Sequence, residues 1–367
     1  MSRTFPTAST TTRGSDSVED IAIIGYAQSP SWRQAEQTEN QFLYPVISEA
    51  IEKAKIGRRD IGFTCAGSCD YLSGQTFAFV MNLEAVGAWP PISESHVEMD
   101  GAWAMYETWV RLQEGDIDTA LAFGSGKSSP GIPREIYPLQ MDPYTLTPLG
   151  ADPVSLAGMQ ARALIDAGKI TEREMAEIVV RSRRNAESNP RAQVKGSADV
   201  EALLKEPYFT APLRRHDLPP ISDGATAVVL ARADKAREVC ERPVWIRGID
   251  HRIDIHQPGF RDLTVSKSTE LAGKGAGVGD APVEFAELCA SFSHEEKILR
   301  NALGLGDDVD VNPSGGALAA NPMMAVGLAR IAEAARLIAE GGRKRGVAHA
   351  TSGSCLQQNL VCVLEGD

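Results

Sequence analysis

The sequence predicts an α/β protein built from two related halves with a long segment inserted between them. Three observations predict it. Strand-like apolar runs alternate with amphipathic helical runs along the chain, the pattern of sheets with helices packed on them. A unit made of a helix, a glycine, a strand and a turn of small residues occurs twice, about 220 residues apart, over 102–124 and again over 323–354. The run Ile21-Ala-Ile-Ile-Gly-Tyr26, which opens the first half, is echoed by Val244-Trp-Ile-Arg-Gly-Ile249, which opens the second. A repeat of that period points to a duplicated domain, with halves at 20–235 and 240–367 and mainly parallel sheets.

In chain order, residues 1–19 are rich in Ser and Thr without an apolar core, and are expected to form a disordered tail, not a secretion signal. Asp20 to Gly25 reads as a buried strand. Gln41 to Lys55 follows as a helix with Leu43, Val46, Ile47, Ala50 and Ile51 on one face. Gly62 to Asp70 is strand-like and Thr76 to Val86 helical; a helix over 102–114, Gly115 and a strand over 118–124 come next. Residues 127–216 are rich in Pro and Gly at first and then carry helices over 153–167 and 172–189, an insertion expected to cap a site. Sheet resumes through Asp223-Gly224, and Val283 to Cys289 forms a strand that leads through Ser291-Phe-Ser-His-Glu-Glu296 into a helix ending at Leu303.

Composition sets limits. In 367 residues, 43% are hydrophobic and 23% charged, the balance of a soluble globular chain. A net charge of −12 argues against nucleic acid as a partner, since duplex binding needs clustered Lys and Arg. No run approaches a membrane span. Six scattered cysteines suggest reduced thiols in a cytoplasm, and Cys65 and Cys69 lack the second pair that a zinc site needs, so no metal is expected.

The run Asn312-Pro-Ser-Gly-Gly-Ala-Leu-Ala-Ala-Asn-Pro322 leads straight into a helix extending to Glu340. Its glycines let a ligand lie against bare backbone, and the free N–H groups of the helix start would point into the space they leave. This run resembles the C-terminal signature of the thiolase superfamily, most closely its sterol-carrier and lipid-transfer-protein branch. Asn312, Gly315, Gly316 and Pro322 match, while Asn321 replaces a histidine. Asp223-Gly-Ala-Thr-Ala-Val-Val229, Ala286-Glu-Leu-Cys-Ala-Ser-Phe292 and Arg181-Ser-Arg-Arg-Asn-Ala-Glu-Ser-Asn-Pro190 resemble three further family motifs in the right order. The resemblance implies a duplicated thiolase fold of five layers, αβαβα, with an inserted capping region.

The resemblance also locates a site and shows what it lacks. The family's nucleophilic cysteine would stand three residues before Gly101, where this chain has Glu98; the family's histidines fall on Cys289 and Asn321. Glu98, Asp100, Cys289, His294 and Asn321 therefore form the candidate catalytic set, suited to acid/base work or to holding an oxyanion. Asn321 is expected to hold a thioester oxygen, with Glu98 or His294 moving the proton. Glu98 and Asp100 read equally well as helix caps, His294 as a carboxylate-paired surface residue and Cys289 as an inert buried thiol. Ser314, Gly315, Gly316, Gly353 and Ser354 are expected to contact substrate, and Arg181 and Arg184 to meet coenzyme A phosphates or to form a solvated basic face. The branch implies retro-aldol cleavage of a β-hydroxyacyl-CoA of the steroid side-chain type, with a coenzyme A thioester as substrate and no bound cofactor. It also implies a homo- or heterodimer with a thiolase-like chain and a small zinc-ribbon, oligonucleotide/oligosaccharide-binding-type partner. A non-catalytic subunit beside an active paralogue is the second reading, and an acetyl-CoA acyltransferase the third.

Overall fold

The computed structural model describes residues 19–367. The tail expected over 1–19 thus lies almost wholly outside the described residues.

Among the described residues, the ten strands of one large sheet are, in chain order, β1 (Ile21–Gln28), β2 (Phe63–Gly67), β3 (Glu94–Val97), β4 (Thr119–Lys127), β5 (Asp223–Arg232), β6 (Val244–Ile253), β7 (Phe285–Glu287), β8 (Asp310–Val311), β9 (Arg345–Ser352) and β10 (Gln358–Glu365). They lie side by side as β8-β7-β9-β10-β6-β1-β5-β4-β2-β3. Numbered from its own first strand, each half has the order third, second, fourth, fifth, first. The two halves meet where Ala22 pairs with Trp245 and Ile23 with Val244.

The sheet is mixed, not mainly parallel. Pairs β2–β3, β2–β4, β7–β8 and β7–β9 are parallel, whereas β1–β5, β4–β5, β6–β10 and β9–β10 are antiparallel. The link from β9 to β10, residues 353–357, is too short for the crossover that a parallel pair needs. β10 answers to no strand expected from the sequence. Its run Leu360-Val-Cys-Val-Leu364 is buried on both faces, so it lacks the alternation that marks a half-exposed strand.

Side chains alternate between two cores. Ile21 and Ile23 of β1, like Leu360, Cys362 and Leu364 of β10, face a central core with the helices Gly101–Gln113 and Val326–Ala339, which pack on each other between the halves. Ala22 and Ile24 face outward onto the helix Glu39–Lys53, which begins with a capping box formed by Thr38 and Gln41. Val361 and Val363 face the opposite outer layer, where Leu299 of the helix Glu295–Ala302 and Ala272 of the helix Lys267–Gly275 pack. The order is helix, sheet, helix pair, sheet, helix.

The helix expected from Met323 begins at Val326. Met324 takes a left-handed φ of 62° and its carbonyl accepts the Gly101 N–H at 2.8 Å, which turns the run 321–325 into a loop laid on β4. Gly124 and Gly126 make room for that loop, because a Cβ at either would strike the Met324 or Met323 carbonyl. The segment between β4 and β5 carries the helices Pro153–Asp166 and Glu172–Asn185 and a small hairpin of Tyr208–Thr210 with Leu213–Arg214.

Candidate active site

A cleft of about 570 Å³ opens between this inserted segment and the central helices. The insertion supplies Ile132, Arg134, Tyr137, Val154, Phe209 and Arg215 to its wall. The two-half body supplies Glu98, Asp100, Glu295, Asn321, the Thr351–Ser354 turn and Cys355.

Asn321 is placed from both sides. Its backbone N–H donates to Ser222 Oγ at 3.1 Å, and Ser222 in turn donates to Gln193 Oε1 of the insertion at 2.6 Å. Its side chain, 7% exposed, faces the cleft with Oδ1 unpaired, while Nδ2 meets Met323 Sδ at 3.6 Å. Because an amide can turn about its last bond, either a donor or an acceptor can be offered to a bound molecule. Gly353 and Ser354 also line the cleft, on a turn whose carbonyls at 354 and 355 each accept from Arg261 at 3.0 Å.

Asp100 reaches the cleft but is fully employed. Its carboxylate accepts the N–H groups of Ala102 at 2.9 Å, Gly327 at 3.0 Å and Leu328 at 2.9 Å, and so caps both central helices at once. Burial pushes its carboxyl up, against the pull of these three donors and of Arg330. Of the two sequence readings, the cap is the one the geometry shows. Glu98 stands two residues ahead of this cap, exposed, with its carboxylate on the Asp70 N–H.

Four expectations for the site are corrected. His294 is 0% exposed and its Nε2 pairs with Gln160 at 3.1 Å; burial lowers it to about 3, so it is a neutral core residue outside the cleft lining. Cys289 is 1% exposed, packed with Ala317 and Val326, and burial pushes its thiol to about 12, the inert state. Ser314, Gly315 and Gly316 lie behind the cleft wall. Ser314 Oγ donates to Glu287 at 2.7 Å beside Arg330, Gly315 has φ 99° and Gly316 φ 68°, and a Cβ would come within 2.7 Å of Ala186 or of the Asn312 side chain. Turn geometry and close packing on the insertion therefore account for both glycines. Arg181 is bound to the buried Glu296, while Arg184 is exposed; neither lines the cleft.

Two cleft residues escaped the sequence reading. Tyr137, whose phenol burial pushes well up, remains a protonated donor and lies in a Pro-rich stretch with no periodic signal. Glu295 is 4% exposed, takes the Phe292 N–H at 3.1 Å, and is raised to about 7, first by burial. The sequence does carry a signal for it: Glu295, Ile298 and Leu299 fall at i, i+3 and i+4, one face of the helix, and that face is buried. Cys355, also in the lining, gives its S–H to the Leu156 carbonyl at 3.5 Å and is pushed to about 12 by burial. Among the described residues no group of three or more His, Cys, Asp and Glu could hold a metal ion, and no helix is long and apolar enough to cross a membrane.

Two copies of one five-strand order, a shared pair of central helices and a covered cleft where both helices begin define the class of protein: a thiolase-type fold. Comparison with known proteins agrees. No family model matches the chain. An acetyl-CoA acetyltransferase of Methanothermobacter thermautotrophicus is 26% identical over 362 residues, covering 89% of this chain and 93% of that protein. A 17-hydroxy-3-oxo-4-pregnene-20-carboxyl-CoA lyase of Mycobacterium tuberculosis is 32% identical over 95 residues, 26% of this chain and 25% of that protein. Among solved structures, the Ltp2-ChsH2(DUF35) aldolase superposes with a TM-score of 0.80 at 19% identity, over 95% of this chain and 98% of that one. Human mitochondrial 3-ketoacyl-CoA thiolase gives 0.77 at 15%, over 95% and 99%. The chain is thus similar over most of its length to acetyl-CoA acetyltransferases and has the fold of the thiolase-type enzymes.

Proposed function

We propose that this protein cleaves a carbon–carbon bond of a β-hydroxyacyl-CoA by a retro-aldol reaction that forms no acyl-enzyme. One observation carries the reading: where the superfamily resemblance puts a nucleophilic cysteine ahead of the first central helix, this cleft has a carboxylate, Glu98, and a second carboxyl, Asp100, caps the helix. The thiols of Cys289 and Cys355 are held protonated by burial, so neither offers a ready nucleophile. A retro-aldol step needs a base for the hydroxyl proton and a donor for the thioester oxygen as the enolate forms; the Asn321 Nδ2 amide, held only by a long contact to Met323 Sδ, supplies the donor. Coenzyme A thioesters as substrates, and a bulky steroid-like acyl chain in particular, are supported by the similarity to an acetyl-CoA acetyltransferase and to a pregnene-carboxyl-CoA lyase.

The two-half division at 20–235 and 240–367, with the cap at 127–216, belongs to the same reading and is supported by the repeated strand order. So does association with a second thiolase-like chain: the exposed Phe77, Met81, Trp89 and Ile92 precede the edge strand β3, and an open apolar edge favours a partner. A small zinc-ribbon partner is supported by the second component, ChsH2(DUF35), of the aldolase neighbour, and a cytoplasmic setting by cysteines scattered without a pairing pattern.

The test is mass spectrometry of the protein as purified from its host, given β-hydroxyacyl-CoA and, separately, β-ketoacyl-CoA with free coenzyme A. A shortened acyl-CoA plus an aldehyde or ketone from the hydroxy substrate, with unchanged protein mass, is the expected result. Cleavage of the keto substrate with an acylated cysteine would instead support the acetyltransferase reading, to which the name of the Methanothermobacter relative points. Turnover that follows only a co-purifying paralogue would leave this chain a non-catalytic subunit.

A further inference from the structure

We propose that Glu295, and not Glu98, is the group that carries the proton in this cleft. The inference rests on the retro-aldol reading and names the residue that performs its acid and base steps. Among the described cleft-lining carboxyls, Asp100 is committed to three N–H groups and Glu98 is exposed to water and bound to the Asp70 N–H. Glu295 alone combines burial with a place in the lining and no cation paired to it. It is anchored by the Phe292 N–H at 3.1 Å, so it is positioned without being neutralised.

Charged groups lie near it, Asp100 and Arg330 on the Cys289 side and Arg261 on the Cys355 side, but none of them shifts Glu295 itself. Cys289 after β7 and Cys355 after β9 both feel its carboxylate and are both held as thiols, and His294 on its own helix start is held neutral. Beyond Cys289 lies Asp100. Burial is the largest influence on its ionisation, opposed by the Phe292 and Ser291 N–H groups, and the balance lies near neutrality. A carboxyl poised there both accepts and returns a proton at working pH.

In the forward step the substrate's β-hydroxyl proton passes to the Glu295 carboxylate. The O–H electrons form the C=O of the departing carbonyl product as the Cα–Cβ bond breaks, and that pair enters the thioester enolate, whose oxygen Asn321 holds. The protonated Glu295 then delivers the same proton to Cα, giving the shortened acyl-CoA. Atoms balance with no other reactant; a substrate unbranched at Cα releases acetyl-CoA.

The experiment compares wild type with Glu295→Gln and Glu295→Asp in two assays, cleavage of a β-hydroxyacyl-CoA and exchange of the methyl protons of acetyl-CoA in deuterated water. Glu295→Gln keeps an acceptor for the Phe292 N–H, so it isolates the proton. The expected result is a fall in kcat of roughly 10²- to 10⁴-fold with little change in KM, loss of the pH limb near neutrality, and partial recovery in Glu295→Asp. Wild-type cleavage with undiminished turnover, or an unchanged pH limb, in Glu295→Gln overturns the assignment. Wild-type exchange that Glu295→Gln abolishes, without cleavage in either, upholds Glu295 and overturns retro-aldol cleavage. A wild type that neither cleaves nor exchanges overturns both.

Discussion

Asn321 stands where the resemblance puts a histidine, and its physics differs in kind: an amide polarises an oxygen but takes up no proton. Replacing it with Ala should lower kcat by roughly 10²- to 10³-fold, the loss seen when one oxyanion donor is removed, while Asn321→His should not restore activity if no acyl-enzyme forms. Steady-state kinetics on the β-hydroxyacyl-CoA checks both. Three buried residues make the stability depend on pH, Glu295 in one sense and His294 and His349 in the other. Glu295 is raised to about 7 in the folded chain, so the stability it contributes is complete below the unfolded value of a glutamate and is lost as pH climbs through 7. Glu295→Gln should thus melt above wild type at pH 8, by on the order of 2 kcal/mol, and not at pH 4. His294, lowered to about 3, and His349, lowered to about 4, act the other way: their contribution is present above the unfolded histidine value and fades as pH falls below it. Tm should drop steadily from pH 6 to pH 4, less steeply in His294→Gln. A flat profile in that window would remove the account of both histidines as neutral core groups.

At the scale of elements, the two central helices begin at one carboxylate. Asp100→Ala would leave the N–H groups of Ala102, Gly327 and Leu328 without their acceptor inside the core. The expected loss is on the order of 3 kcal/mol in urea unfolding, with Asp100→Asn between the two because one amide oxygen replaces two. Gly124 has a comparable role through space and not charge. Gly124→Ala drives a methyl into the Met324 carbonyl, so the 321–325 loop must shift and carry Asn321 with it. Activity should fall more than stability does, a split that melting curves and kinetics on one preparation will show. The sequence reading identified the 312–316 glycine run as a ligand loop because bare backbone invites ligands. In the fold that run is anchored behind the wall by Glu287 and Arg330 and covered by Ala186, and the cleft is lined by the loop that follows it.

At the scale of the whole molecule, alternation of strands and helices and the two echoes made the α/β duplication legible, since periodicity is local and survives in a linear string. Registers and directions were not legible. Whether β5 or β10 runs with or against its neighbour depends on partners about a hundred residues or more away in β1 and β6, apart from the short β9–β10 link. The candidate site divides the same way. Glu98, Asn321, Gly353 and Ser354 could be placed from motif register, and they do line the cleft. His294 and Glu295 are adjacent in sequence, and nothing local says that the imidazole turns into the core against Gln160 while the carboxyl turns to the cleft. By itself the sequence determined the fold family, the absence of a cysteine before Gly101 and the amide in place of a histidine, because residue identity at a motif position needs no coordinates. Only the tertiary structure decided which acidic side chain is dry, which is capped and which is wet. Burial is a property of what packs around a residue, and burial sets whether a carboxyl can hold a proton near neutrality.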